Sequence, residues 1–215
     1  MQQSKKSFPE TAGSLQPAPT LKNGWRNIRL LKAELREKAI RARDSLTPKE
    51  RESKSAEICS RIICTPEYAR AKTILLYSYI RSEVQLSVLE AACKKDGKTI
   101  AWPLCLADRQ MVAACSNAWK KGPYGILEPD MQQGRVVDPY EIDLVICPCT
   151  AFDEQCRRIG MGAGYYDRFL PRLRPETPVW AAAYEIQKVT LISADPWDIP
   201  MNRIITESTV YFNTV

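Results

Sequence analysis

The sequence contains no histidine and only 9 glycines among 215 residues. Without histidine, Ser-His-Asp and Cys-His nucleophilic catalysis are excluded, and acid–base work falls to Asp, Glu, Lys or Tyr. No apolar run reaches the roughly 18 residues that a membrane-spanning helix needs, and no apolar segment of the secretory kind opens the chain. The 8 cysteines show no C-x-x-C pair, and no imidazole is available to complete a zinc site. Several lie inside apolar runs, which predicts buried, reduced thiols in a cytoplasmic protein.

What is present fits one globular domain. Hydrophobic residues make up 45% and charged residues 26%, and 215 residues can enclose a substantial core. The net charge of +6 is uneven: residues 1–54 carry 13 Lys+Arg against 6 Asp+Glu. That basic region reads chiefly as a solvated helical face, with anionic ligands or nucleic acid as the alternative. Residues 1–24, rich in Gln, Ser, Pro and Lys, read as a disordered tail, and residues 25–215 as the folded domain.

Ile28, Leu31, Leu35, Ala39, Ala42 and Leu46 recur at spacings of three and four, the signature of an amphipathic helix. Lys32 and Arg36 project from one side of it. In LTPKE, Thr47 can cap, Pro48 suits the first helical position and Glu50 completes a capping box, so a second helix is expected to about Ile63. TILLYSYI (73–80) reads as a buried strand, with Glu83 just beyond it. VLEAACKKDGK reads as a helix stopped by Gly97. Further strands are expected at TIAWP, ended by Pro103, at MVAAC, at IDLVICP (142–148), at PVWAAAY (178–184) and at NRIITE (202–207). GPYGILEP (122–129) is expected to be loop. The alternation predicts an α/β fold with a mainly parallel sheet and helices on both faces. In such sheets ligands gather beyond the carboxyl ends of the strands.

Three of the glycines fall in RRIGMGAGYYDRFL (157–170). Bare backbone at Gly160, Gly162 and Gly164 can present N–H groups to an anion. Arg157 and Arg158 supply charge, YYDRFLPRL can open a helix, and Asp167 could hold Mg2+ against phosphate oxygens. A G-x-G-x-x-G loop is excluded because position 165 is tyrosine, and G-K-[ST] is absent. Composition alone leaves a triphosphate cradle level with a tight packing turn.

AFDEQCRRIGMGAGYYDRFL resembles the signature of the 5-formyltetrahydrofolate cyclo-ligases, also called methenyltetrahydrofolate synthetases: FD, then G-x-R-L-G-x-G-x-G-Y-Y-D-R. KAELR (32–36), SYIRSEV, GILEP and WDIPMNRIITE resemble further motifs of that family in the same order, so the likeness spans roughly residues 29–207. The resemblance implies a single three-layer α/β/α domain, of the architecture shared with sugar-phosphate isomerases and CoA transferases. It implies a ligase that uses ATP and Mg2+ to turn 5-formyltetrahydrofolate into 5,10-methenyltetrahydrofolate, ADP and phosphate. Lys32 and Arg36 would bind ATP phosphates, and Arg158 with the loop of Gly160, Met161, Gly162, Ala163, Gly164, Tyr165 and Tyr166 would wrap them. Met161 to Tyr165 would also meet folate, together with Ser78 and Glu83. Arg158 and Tyr165 would act in catalysis, and Asp167 and Asn202 would hold the metal. The chain departs from the family pattern at Cys156, where glycine is usual. It departs again at Gln85 and Leu86 for Asp and Thr, and at Asn202 for Asp. A cytoplasmic monomer without membrane or nucleic-acid partners is expected. The rival reading is a family member of weakened activity that binds nucleotide, folate or RNA. An isomerase-like or transferase-like enzyme independent of ATP would share only the architecture.

Overall fold

In the computed structural model, residues 21–122 and 125–213 are described. Helix α1 (Leu21–Asp44) begins inside the stretch expected to be tail; the rest of that stretch, residues 1–20, lies outside the described residues. Helix α2 (Pro48–Ile63) starts as its sequence dictates. Thr47 accepts from the Glu50 N–H, and the Glu50 carboxylate accepts from the Thr47 N–H. A short α3 (Pro66–Arg70) leads into strand β1 (Thr73–Leu75), and α4 (Ser87–Lys95) crosses to β2 (Thr99–Cys105). Gly97 takes φ +66° just after α4 and lets the chain reverse. Strands β3 (Met111–Ser116), β4 (Trp119–Lys121), β5 (Leu127–Pro129) and β6 (Gly134–Val137) follow. After them come β7 (Leu144–Pro148), β8 (Ala151–Phe152), β9 (Arg158–Ile159), helix α5 (Tyr165–Phe169), β10 (Val179–Ala182), β11 (Arg203–Ile205) and β12 (Val210–Phe212).

The main sheet has the order β12-β11-β10-β7-β1-β2-β3-β6. The five inner strands from β11 to β2 are parallel; β12, β3 and β6 are antiparallel at the flanks. Inner strands are apolar on both faces, as parallel strands must be. Ile74, Leu144, Ile146, Trp180, Ala182 and Ile205 enter one core, beneath Ile58 and Ile62 of α2 and Leu89 and Cys93 of α4. Their neighbours Leu75, Val145, Cys147, Val179, Ala181 and Ile204 enter the other. That second core is closed by Phe169 of α5, by Leu170 and Leu173 beyond it, by Phe152 of β8, and by Cys156 and Met201 from connecting segments. The helical layer there is a single short helix and a 3-10 turn at 170–172. No helix among the described residues is long and apolar enough to cross a membrane.

Three expectations need correction. The strand at 73–80 ends at Leu75, with one further ladder bond from Leu76 N–H to the Ala101 carbonyl at 2.9 Å. Tyr77 stays buried, so the apolar pattern outlasts the strand. Strand β2 runs through Pro103 rather than stopping there. The Ala101 carbonyl faces β1, so two residues on Pro103 faces the same side, where β1 has already ended and no N–H is needed. Finally, 122–129 is not all loop: Leu127–Pro129 pairs with β4 as a hairpin.

Candidate functional site

Beyond β7 the chain folds back as the β8–β9 hairpin, fixed by Asp153. This buried carboxylate accepts from the N–H groups of Gln155 and Arg157 at 3.1 Å each and of Ile192 at 2.9 Å, and from Arg157 Nε at 2.8 Å. Of the two successive arginines, Arg157 therefore holds the hairpin together, and Arg158 alone is free to turn inward.

The glycine loop follows, and a different guanidinium faces each glycine. A β-carbon at Gly160 would lie 3.0 Å from Arg158 Nη1, one at Gly162 3.4 Å from Arg36 Nη2, and one at Gly164 2.9 Å from Arg168 Nη1. Gly162 and Gly164 also adopt φ of +99° and +69°, where side chains are strained. Arg36 donates through Nε to the Gly160 carbonyl at 2.8 Å. Arg168 donates to the Ala163 carbonyl at 2.5 Å and to the Arg109 carbonyl at 2.9 Å. Arginines on three sides of bare backbone form a cradle for a polyanion.

Arg158 is the buried member. Its Nη2 lies 3.4 Å from Asp167 Oδ1, its plane faces the Tyr166 ring at 5.5 Å, and its Nε has no hydrogen-bond partner. Such an incompletely met buried cation suits an anionic ligand. Burial places the Tyr166 hydroxyl well above its ordinary range, and that hydroxyl too has no partner. Cys147 and Cys149 face the same region, but burial pushes both thiols up to about 12, so they are neutral and poor nucleophiles. Tyr165 lies under Arg168, ring centroid 6.0 Å away, and Met161 is exposed, its sulfur accepting from the Thr150 hydroxyl at 3.5 Å.

Lys32 stands one turn before Arg36 and reaches the opposite wall. Its ammonium pairs with Asp195 at 2.7 Å and with Asp198. Helix α1 thus places one cation on the glycine loop and one on the loop before β11.

Within electrostatic reach of Tyr166, the turn after β1 holds Glu83. It is 5% exposed, its Oε2 accepts the Ile80 N–H at 3.1 Å, and burial raises its carboxyl above the usual range despite Arg43 nearby. Ser78 donates to the Leu127 carbonyl at 2.9 Å, tying the same turn to β5.

Asn202 sits elsewhere than the loop in its bonding. Its Oδ1 accepts the Val179 N–H at 2.6 Å, and its backbone bonds Val179 and Asn213, so it fastens β10 to β11 and to the chain end. Asp167 meets Arg158 instead. Among the described residues, no group of three or more Cys, Asp or Glu side chains could enclose a metal ion. One carboxylate such as Asp167 still fits Mg2+, which keeps water and takes its remaining ligands from phosphate.

Sequence reasoning missed Arg43, Arg168 and the pairing of Lys32 with Asp195 and Asp198. Arg43 had a signal: Lys32, Arg36 and Arg43 stand four and seven residues apart on one helical stripe, yet it passed as one more charge in a basic region.

Residues 29–207 match the 5-formyltetrahydrofolate cyclo-ligase family. The chain is 27% identical over 180 residues to the 5-formyltetrahydrofolate cyclo-ligase of Escherichia coli K12, covering 79% of this chain and 96% of that one. It is 31% identical over 127 residues to a probable 5-formyltetrahydrofolate cyclo-ligase of Schizosaccharomyces pombe, covering 56% and 62%. The solved structure of the Aquifex aeolicus 5,10-methenyltetrahydrofolate synthetase superposes with a TM-score of 0.75 at 31% identity, covering 86% of this chain and 94% of that one. The motifs, the sheet and these likenesses agree: the chain belongs to the 5-formyltetrahydrofolate cyclo-ligase family.

Proposed function

We propose that the protein converts 5-formyltetrahydrofolate to 5,10-methenyltetrahydrofolate, with ATP consumed to ADP and phosphate, as a cytoplasmic enzyme. The observation that carries this reading is the cradle itself: three guanidiniums around Gly160, Gly162 and Gly164, with the buried Glu83 carboxylate in electrostatic reach of Tyr166 at the loop's end. Triphosphate lies along the loop, met by Arg36, Arg158 and the exposed N–H groups. Lys32 leaves Asp195 and Asp198 to join it. The formyl oxygen takes the γ-phosphoryl group from ATP, releasing ADP; N10 closes on the activated carbon and gives up its proton, and the phosphate departs with that oxygen as hydrogen phosphate. Mg2+ would supply charge neutralisation at the phosphates when bound, and Asp167 would be its protein ligand. Asn202 joins that set only by releasing the Val179 N–H. Arg158 neutralises charge developing in transfer, Tyr165 borders both ligands, and Ser78 and Glu83 hold the folate, Glu83 by accepting N–H donors of its pterin. Such chemistry depends on alignment and charge compensation rather than on a strong base, which suits a chain without histidine.

Mixing the purified protein with 5-formyltetrahydrofolate, ATP and Mg2+ and following methenyl absorbance tests the reading. Product that depends on ATP is expected; none at high enzyme concentration rejects it. ATP binding without turnover would mark a binding protein instead.

A further inference from the structure

Arg43 has no place in the proposed chemistry, yet it is among the most buried charges of the chain, at 2% exposed. It sits on the last turn of α1, on the same stripe as Lys32 and Arg36. Its Nε donates to the Ser82 hydroxyl at 3.0 Å, and Ser82 in turn donates to Asp44. Its Nη1 lies 4.0 Å from Glu83 Oε1 and has no hydrogen-bond partner. A buried guanidinium nitrogen without a partner is costly, so its retention beside a buried carboxylate calls for a reason.

The surrounding turn is braced from several elements. Arg81 takes a left-handed φ of +53°. The Tyr184 hydroxyl donates to the Glu83 carbonyl at 3.3 Å, and the Tyr77 hydroxyl donates to the Val84 carbonyl at 3.0 Å. Backbone bracing fixes where Glu83 stands. It leaves the aim and charge of the carboxylate to the groups that face it. These are Arg43 from α1, Arg81 from the turn itself, Tyr77 beyond β1, Tyr166 of α5 and Cys149 beyond β7. Burial holds both tyrosines and the thiol in their neutral forms across the working range of pH. The charge of Glu83 is thus opposed by burial and supported by two arginines, of which Arg43 is the buried one.

We infer that Arg43 is a positioning residue for folate recognition: it aims the Glu83 carboxylate and sustains its charge so that it can accept the pterin N–H donors. The inference rests on the folate role of Glu83 given above. It also explains the 4.0 Å gap, which leaves Glu83 Oε1 available to a ligand rather than locked in a fork, while Oε2 accepts the Ile80 N–H.

Steady-state kinetics against pH test this. In Arg43→Met, the KM for 5-formyltetrahydrofolate should rise most at low pH and, as pH rises, fall back to about threefold above the wild-type value, since the charge returns but the aim does not. The KM for ATP and kcat should stay within about twofold of wild type. A rise that is equal at every pH, or shared by the ATP KM and kcat, overturns the inference. Arg43→Lys keeps the charge but not the fork; it should preserve the pH midpoint and raise the folate KM about threefold. An unchanged folate KM in that variant overturns the aiming role, and it does so even where Arg43→Met fails to fold. The double variant Arg43→Met with Glu83→Gln should bind folate no worse than Glu83→Gln alone; an additive loss overturns the inference. Should Glu83→Gln alone leave folate KM unchanged, the folate role of Glu83 fails first, and that outcome is distinct from the others.

Discussion

At Arg158 a guanidinium held out of water meets its nearest carboxylate only at 3.4 Å, with Nε unpartnered. A phosphate there gains charge-assisted bonds on the order of 1.5–3 kcal/mol. Arg158→Met should therefore raise the KM for ATP about ten- to hundredfold, read from initial rates, while folate binding by equilibrium titration changes little. Asn202 carries the contrary expectation. Its amide oxygen serves the Val179 N–H, and an aspartate would serve it as well. Asn202→Asp should leave the Mg2+ concentration for half-maximal rate within about twofold; a large fall would place residue 202 in the metal's coordination shell. Lys32, Arg36, Arg158 and Asp167 stand in local motifs, so they could be singled out as candidates from the sequence. The partners that hold Lys32 could not: Asp195 and Asp198 are 163 and 166 residues away, and no spacing rule reaches that far.

Short-range chemistry decides the elements. The Thr47–Glu50 capping box was legible because both halves lie within four residues, and it formed as written. Thr47→Ala should cost about 1 kcal/mol in urea denaturation and leave the rate unchanged, since α2 packs on the face away from the cradle. Helix α4 shows the opposite compromise. Leu86 stands at its N-cap with no side-chain cap bond, but the side chain is 1% exposed in the first core. Burying a leucine is worth roughly 1.5–3 kcal/mol, more than a cap of about 1 kcal/mol, so the apolar residue wins there. Strand ends were the unreliable part. β1 stops at Leu75 although apolar residues continue, because ladder bonds and burial are separate properties and only burial leaves a pattern in sequence. Pro103 misled for the same reason: whether its missing N–H matters depends on where the neighbouring strand ends.

For the whole molecule, the site is held against the preferences of the fold. Burial raises the Glu83 carboxyl above its unfolded value, so the folded state binds that proton more tightly. The contribution of this group to stability is full below the ordinary carboxylate range and is lost as pH rises through the raised value. Glu83→Gln should then raise the melting temperature near neutral pH, measured by calorimetry, and weaken folate binding in the same protein. A lower melting temperature would reject that balance. The parallel sheet and its apolar strands were visible in the alternation of patterns. The unequal cover of the two faces was not, because the second face is closed by Phe152, Cys156 and Met201 from segments with no periodicity. That asymmetry bears on how the molecule breathes. Amide hydrogens of α2 and α4 should exchange with deuterium only through global unfolding. Those of α5 and the 158–164 loop should exchange through a cheaper, local opening, and bound ATP should close that route first.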